Sequence, residues 1–190
     1  QCANLKMCWC TNYNSLILQF WKFWFRLKTE TQILAALQEV KDPEIPVISV
    51  VDLGIITKIE VGENNSAKVT MTPTFVGCPA IKHMQNEVQH AIEALGFDKV
   101  EVVVDYSTPW NSNMVSERGL QQLKDFRLSP PKRHCGIVTM EDLENAQCPN
   151  CFGNNTTLLS PFGPTLCRAM FKCNDCGEGF EQFKAVWGSC

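Results

Sequence analysis

The chain has 190 residues, of which 19% are charged, and its formal net charge at pH 7 is −3. This balance excludes the general basic field that attracts nucleic acid or anionic lipid, while the length allows one core with an appendage or two small domains. Eleven cysteines are many, but no basic segment with a small-residue cleavage site is apparent, and four cysteines have metal-ligand spacing. We therefore predict a cytoplasmic protein with reduced thiols.

The first 27 residues differ in composition from the rest of the chain. An apolar, aromatic run from Leu16 to Leu27 is interrupted by Lys22 and Arg26 and is too short to span a bilayer. It suits either a helix that lies at a membrane interface or an extension outside the natural protein. We favour the second interpretation and assign residues 1–27 no function.

The globular domain is predicted to begin with an amphipathic helix. Thr29-Glu30-Thr31-Gln32 has the form of a capping box, and apolar residues at helical spacing follow it, but the helix must stop before Pro43. Two strands with alternating apolar residues come next, one from Ile56 to Val61 and one ending at Met71. Residues 62–66, Gly-Glu-Asn-Asn-Ser, have the composition of a hairpin turn, so the two strands are predicted to be antiparallel.

A second helix and a third strand complete the predicted domain. After Pro79, apolar residues repeat at steps of three and four up to Gly96, which suits the position just after a helix C-terminus. Residues 99–105 are rich in valine and predict a strand. We therefore predict an α+β fold, in which a small two-layer αββαβ domain over residues 28–127 is followed by a separate metal-binding unit.

The predicted domain is organised around a strand-to-helix turn that carries Cys78. Pro73 ends the strand, Gly77 permits a tight turn, and Pro79 suits the first turn of a helix, which places the Cys78 side chain against the helix N-terminus. The helix dipole and its unpaired N–H groups are expected to favour the thiolate. Cys78 is thus a candidate metal or sulfur ligand, or a nucleophile. Burial as a small apolar residue is the alternative that these residues leave open.

The strongest local signal lies near the C-terminus. Residues 128–147 contain adjacent prolines and an acidic run and are predicted to be a linker. Two C-x2-C pairs follow, separated by 21 residues: Cys148 with Cys151, and Cys173 with Cys176. Four thiolates in this pattern predict one closed tetrahedral site, so we expect residues 148–190 to form a zinc ribbon held by structural Zn²⁺. Tetrahedral sulfur geometry also suits iron, and that alternative stays open.

Three further residues stand apart from this ligand pattern. Cys167 lies between the two pairs without a C-x2-C partner and is predicted to be a spare or buried thiol, and Cys135 has no evident role. Phe152 follows the first pair directly, whereas Gly177 follows the second. The turn after the first C-x2-C pair is therefore expected to be slightly atypical, because the residue that follows such a pair is preferably glycine.

Two sets of motifs resemble one known family. Residues 33–106 look like the small iron–sulfur assembly domain of the SufT kind through three motifs, Asp42-Pro43-Glu44-Ile45-Pro46, Val51-Asp52-Leu53-Gly54 and Gly77-Cys78-Pro79. The zinc ribbon with its Ser160-Pro161-Phe162-Gly163 segment, and the Ser107-Thr108-Pro109-Trp110 segment before it, are similar to PaaD, the D component of bacterial phenylacetyl-CoA epoxidase (ring 1,2-epoxidase) systems. The resemblance covers nearly everything after Glu30.

The resemblance implies an accessory, non-catalytic role in aerobic phenylacetate catabolism, in maturing or supporting an iron–sulfur or iron centre of the multicomponent oxygenase. Cys78 would then be a transient iron or cluster ligand, with Asp42 and Asp52 as nearby carboxylates. The partners would be the other subunits of the epoxidase complex, especially its iron–sulfur reductase, without nucleic acid and without a membrane span. A structural or docking subunit of the same assembly is the alternative. A free-standing thiol enzyme is disfavoured, because the nearest histidine in sequence, His83, lies along the following helix.

Overall fold

The computed structural model describes residues 29–133 and 146–184. The interpretation of residues 1–27 and the acidic part of the predicted linker therefore lie outside the described residues. The described residues form a mixed α+β structure with two sheets, one of three strands and one of four. The first sheet belongs to the αββαβ domain, whose predicted element order is confirmed: α1 (Glu30–Leu37), β1 (Ile56–Gly62), β2 (Ser66–Met71), α2 (Ile81–Ala94) and β3 (Lys99–Val104).

Local sequence chemistry explains the start of α1 and the hairpin between β1 and β2. The Thr29 hydroxyl accepts the Gln32 N–H, and the Gln32 side chain accepts the Thr29 N–H in return, so the predicted capping box is present. In the hairpin, Asn64 and Asn65 adopt left-handed φ values of 58° and 56°. Asparagine tolerates this conformation better than most residues, which is why the turn forms here.

The three-stranded sheet has the order β1-β2-β3, with β1 antiparallel and β3 parallel to β2. Parallel strands need a crossover connection, and α2 provides it. Met84, Val88 and Ile92 are buried along one face of α2 and belong to the apolar core of the domain. The turn that carries Cys78 therefore links a central strand to a firmly packed helix.

A loop and a third helix close the domain. The Trp110 indole N–H donates to the Leu53 carbonyl oxygen at 2.9 Å in a buried position. A single 3-10 turn (Ser112–Met114) follows, and Ser116 then caps α3 (Glu117–Asp125) by accepting the Gly119 N–H. This third helix packs beside the αββαβ domain and leads the chain into the four-stranded sheet.

The ribbon sheet begins earlier than we expected. Its strands are β4 (Leu128–Ser129), β5 (Thr156–Ser160), β6 (Arg168–Cys173) and β7 (Gly179–Phe183), in the order β4-β7-β6-β5. Leu128 and Ser129 fall in the segment predicted to be a linker, yet both are buried and pair with Glu181 and Gln182 of β7. Assigning these two residues to a linker was wrong, because a strand of two residues is too short to show alternation in the sequence.

The ribbon has two packing regions. At one end a small cluster includes Phe171 and Phe180, whose rings stack with centroids 5.6 Å apart. At the other end Leu128 and Phe183 join the core of the αββαβ domain, and the Phe183 ring meets Trp110 edge-on at 5.9 Å. The ribbon is thus packed directly on the domain. Within the described ranges, no helix has the length and hydropathy needed to cross a membrane.

Candidate metal centres

The four predicted zinc ligands converge at the end of the ribbon. The Sγ atoms of Cys148 and Cys176 are 3.7 Å apart, those of Cys151 and Cys173 are 3.5 Å apart, and all four lie within 4.8 Å of one another. A tetrahedron with Zn–S bonds of about 2.3 Å has edges of about 3.8 Å. The four thiols therefore fit a zinc ion with only small adjustments. The set leaves no position for substrate, so the ion would supply folding energy rather than chemistry.

The two C-x2-C turns share one backbone pattern. The carbonyl of Cys148 accepts the Phe152 N–H at 3.0 Å, and the carbonyl of Cys173 accepts the Gly177 N–H at 3.0 Å. Gly177 has a left-handed φ of 79°, and Phe152 adopts 61° at the equivalent position. The first turn therefore keeps the usual geometry, and it does so at the cost of placing a phenylalanine in a conformation that glycine prefers.

The zinc-site thiols differ in pKa because they accept different hydrogen bonds and lie close to one another. The backbone N–H of Glu178 and the side-chain amide of Asn150 lower the pKa of Cys176 to about 7. The backbone N–H of Gly153 acts to lower the pKa of Cys151, but the neighbouring thiols outweigh it and raise the pKa to about 12. Thiols this close do not lose their protons together unless a cation compensates their charge. The donor set thus fits a divalent ion, which would displace those protons on binding.

The second candidate centre is the turn around Cys78. The Cys78 N–H donates to the Phe75 carbonyl at 3.1 Å, and the helix begins at Ile81, two residues later than Pro79. Pro79 therefore precedes the helix rather than lying in its first turn. The Cys78 side chain is half-buried against the core, so it is accessible from one side.

The expectation that Cys78 favours the thiolate is wrong for the protein without a bound ion. Burial raises the pKa of Cys78, and the carboxylates of Asp42 and Glu44 raise it further. Backbone N–H groups of Ala80 and Ile81 at the helix start act in the opposite direction but do not prevail. Cys78 is therefore a protonated thiol that a soft cation could deprotonate, and it is not a free nucleophile at neutral pH.

Asp42 and Glu44, whose charges act on the Cys78 thiol, lie on a tight loop. The Asp42 carboxylate accepts the backbone N–H groups of Glu44 and Ile45 at 2.7 and 2.9 Å, and the Asp42 N–H donates to the Ile48 carbonyl. Asp42 thus fixes the loop, and its role as a ligand beside Cys78 stays a prediction. Sequence reasoning assigned Glu44 no role, although it stands in the same Asp-Pro-Glu motif.

Asp52 occupies a different environment. Its Oδ1 accepts the Ser116 hydroxyl at 2.7 Å, its Oδ2 accepts the Ser49 hydroxyl at 2.9 Å, and the Arg118 guanidinium binds both oxygens. Burial raises the pKa of Asp52, but these hydrogen bonds and the Arg118 charge outweigh it and hold the pKa below its ordinary value. A metal would have to displace Arg118, so this carboxylate is better suited to tying α3 to the domain.

The ribbon brings Cys167 to the loop that carries Asp42 and Glu44. The Cys167 thiol lies 4.0 Å from Glu44 Oε2 and 3.1 Å from the Thr165 hydroxyl. The next residue, Arg168, donates to the Glu44 carbonyl at 2.5 Å and pairs with Glu181 at 2.8 Å. The sequence predicts a spare or buried thiol at Cys167. It is indeed partly buried, but its neighbours could not be read from the sequence, because it lies 123 residues from Glu44.

An apolar cleft of about 290 Å³ runs between the Cys78 turn and the ribbon. Phe75 and Trp110 line it from the domain, and Leu166, Cys167 and Phe183 line it from the ribbon. The cleft therefore gives access to Cys167 from a surface that both units share.

Fold and thiol sites together define a two-part class of protein, an iron–sulfur assembly-type domain joined to a zinc ribbon. Residues 30–104 match the model of the family described as iron-sulfur cluster assembly protein, and residues 133–184 match the PaaD zinc beta ribbon domain. A relative from Escherichia coli K12, provisionally named as the D component of 1,2-phenylacetyl-CoA epoxidase, is 33% identical over 82% of this chain and 92% of its own length. The chain belongs to the PaaD family.

Two further relatives match about half of the chain. A protein of Porphyromonas gingivalis W83 named Fe-S protein maturation auxiliary factor is 38% identical over 51% of this chain and 92% of its own length. The Fe-S protein maturation auxiliary factor YitW of Bacillus subtilis 168 is 34% identical over 44% of this chain and 82% of its own length. The relatives named for maturation therefore cover about half of this chain, whereas the relative named for the epoxidase covers most of it.

Proposed function

We propose that this protein is an accessory factor of a multicomponent phenylacetyl-CoA 1,2-epoxidase that helps to mature an iron–sulfur or iron centre of the complex. The observation that carries the proposal is the half-buried Cys78 thiol at a strand-to-helix turn, where the charges of Asp42 and Glu44 act on it. Thiolate and carboxylate donors around a partly open position suit weak, exchangeable binding of iron, which is what transfer requires. The relatives' names agree with such a role.

In this proposal the iron centre is cargo, whereas zinc is structural. The ribbon's four thiols form a closed set, so zinc stays in place while the Cys78 site loads and unloads. The client belongs to the same complex, with the iron–sulfur reductase as the first candidate, and the protein acts in the cytoplasm. A purely structural or docking role remains the second candidate, because the ribbon offers surface without chemistry.

Cys78→Ser tests the proposal. Serine is similar in size to cysteine but is a poor ligand for soft metals at neutral pH, so the variant is expected to stay folded and zinc-loaded. Cells that depend on it should contain an under-loaded client centre and should grow poorly on phenylacetate. Val76→Ser is the matched control, because Val76 is exposed on the same turn and the thiol is retained.

Two outcomes separate the candidates. Normal iron content of the client and wild-type growth with Cys78→Ser would contradict maturation through Cys78. Stable, stoichiometric association with the oxygenase, unchanged by Cys78→Ser, would favour the docking role. Iron analysis of the client purified from each strain distinguishes these results directly.

A further inference from the structure

We infer that the apolar cleft between the αββαβ domain and the ribbon is a docking site for the client protein, which binds through a segment that carries apolar side chains and one carboxylate. The carboxylate pairs with Lys184 at the edge of the cleft. This inference rests on the proposed function and deepens it, because it names the chemistry by which the client is recognised. The docking site itself holds no metal ion.

The cleft is built from both units of the protein. Phe162 and Leu166 of the ribbon are more than half exposed, and they line the cleft together with Phe75 and Trp110 of the domain. Phe183 also lines it, and its edge-on contact with Trp110 joins the two walls. An apolar cavity of about 150 Å³ accommodates benzene, so a cleft of about 290 Å³ has room for one large apolar side chain.

A second apolar cleft, of about 260 Å³, continues this surface toward the Cys78 turn. It shares Phe75 and Trp110 with the first cleft and is also lined by Val76 and Tyr106, which are both more than half exposed. Clustered exposed apolar side chains mark sites of protein association, and two adjoining clefts suit a segment with two apolar side chains better than a single small molecule. Val76 lies two residues before Cys78, so a segment that fills both clefts contacts the turn that carries the thiol.

Lys184 supplies the charge that selects the partner. Its Nζ donates to the Pro161 carbonyl at 3.2 Å and lies 4.8 Å from the centre of the Phe162 ring. Within residues 29–133 and 146–184, no carboxylate forms an ion pair with this ammonium, and burial lowers the pKa of Lys184. A carboxylate beside the apolar side chain of the client would compensate this charge, and such complementarity gives specificity to an apolar contact.

The test selects peptides that bind the full, zinc-loaded chain from a phage library of random linear sequences. The selection is repeated with Lys184→Glu, which reverses the charge, and with Lys184→Met, which removes the charge and keeps an apolar stem. Calorimetry measures the affinity of each selected peptide as a synthetic compound. The NMR signals of the Trp110 indole N–H and the Leu166 methyl groups locate the bound peptide, and retained zinc and an unchanged melting temperature show that each variant is folded.

We expect the wild-type chain to select peptides that combine apolar residues with one aspartate or glutamate. Lys184→Glu should select lysine or arginine at that position, and Lys184→Met should keep the apolar preference without a charge preference. Leu166→Ser should weaken the selected peptides by at least about tenfold, because it removes an apolar wall of the cleft. Leu159→Ser is the control, since Leu159 is also exposed on the ribbon but lines neither cleft.

Three results would overturn the inference and leave maturation through Cys78 untouched. The first is a selection that recovers no apolar and acidic peptide, or that gives the same acidic preference with Lys184→Glu. The second is a shift of the Trp110 signal by phenylacetate without any peptide binding, which would assign the cleft to a small aromatic acid. The third is self-association of the chain that is lost in Leu166→Ser, which would assign the surface to a second copy.

Peptide binding does not use the thiol, so the proposed function fails separately. Cys78→Ser should bind the selected peptides as tightly as the wild-type chain. Normal iron content of the client with Cys78→Ser, together with unchanged peptide binding, would contradict the proposed function and still support the docking site. Leu166→Ser should lower the iron content of the client although Cys78 is intact, whereas Leu159→Ser should leave it unchanged.

Discussion

The αββαβ domain and the ribbon are stabilised by different means. The domain buries a large apolar core that runs through α1, α2 and the three-stranded sheet, whereas the zinc end of the ribbon has a small cluster around Phe171 and Phe180 beside four thiols. The cysteine thiols described above also have different surroundings. The ribbon's four zinc-site thiols are close enough for one ion, whereas the Cys167 thiol has Glu44 and Thr165 as its neighbours. The comparison shows that a small unit with little apolar core can depend on a bound ion for its folding free energy, whereas the larger apolar core of the domain needs none.

The largest expected effect comes from breaking the zinc site. Cys173→Ser removes one of four ligands and should release the metal, which in ribbons of this kind supplies on the order of 10 kcal/mol of folding free energy. We expect the ribbon to unfold while the β2 amides of the domain keep their hydrogen-exchange protection. Met170→Ser, on the same strand and 41% exposed, should keep its zinc. Full metal content in Cys173→Ser by elemental analysis would refute the ligand assignment.

Disrupting the packing interface between the αββαβ domain and the ribbon should give the next largest loss of stability. Phe183 is buried and meets Trp110 edge-on, so Phe183→Ala should lower the free energy of unfolding by about 3–4 kcal/mol. Phe162→Ala is the control, because Phe162 is 60% exposed, and its cost should stay below about 1 kcal/mol. Chemical denaturation measures both. Equal costs would mean that the two units are not joined through Phe183.

The next prediction concerns the ion pair between Asp52 and Arg118 and its contribution to the free energy of unfolding. Breaking this pair by Asp52→Asn should cost about 2 kcal/mol, less than for a fully buried pair because Arg118 is largely exposed. Glu117→Gln, whose pair with Arg133 is exposed on both sides, should cost about 0.5 kcal/mol or less. A similar cost for the two variants would argue against a special role for Asp52.

The same link predicts a pH dependence. The folded pKa of Asp52 lies below its ordinary value of 3.8, so its contribution is fully present above that value and is lost as the pH falls through the lower folded pKa. Wild-type stability should therefore decline on acidification in this range more steeply than that of Asp52→Asn. Parallel pH profiles of the two proteins would contradict the depressed pKa.

The smallest expected effect concerns the first zinc turn. Phe152 is 67% exposed and holds a left-handed φ of 61°, so Phe152→Gly should stabilise the ribbon by up to about 1 kcal/mol. Phe152→Ala keeps the unfavourable backbone conformation and should give no gain. Thermal unfolding of the zinc-loaded proteins compares them, and a loss of stability in Phe152→Gly would show that the phenyl ring makes a contribution that exceeds the strain.

The features that sequence reasoning recovered depend on residues close together in the chain. The capping box at Thr29, the hairpin through Asn64 and Asn65, and the two C-x2-C pairs each act over a few residues, so the residue types alone specify the geometry. These signals were enough for the αββαβ order and the zinc ligands. They did not reveal β4, whose two residues pair with a distant strand near the end of the described chain.

Tertiary structure decided what surrounds each ionisable side chain. The resemblance groups Asp42 and Asp52 with Cys78 as candidate ligands. In the folded chain the charge of Asp42 acts on the Cys78 thiol, whereas Asp52 is bound by Arg118, 66 positions away. Folding also brings Cys167 to Glu44 across 123 positions. Burial and nearby charges set the pKa of a thiol, and both depend on elements that meet only in the folded chain. The sequence by itself therefore determined the elements and the four zinc ligands, and only the packing of the ribbon on the domain decided which side chains of the two units meet.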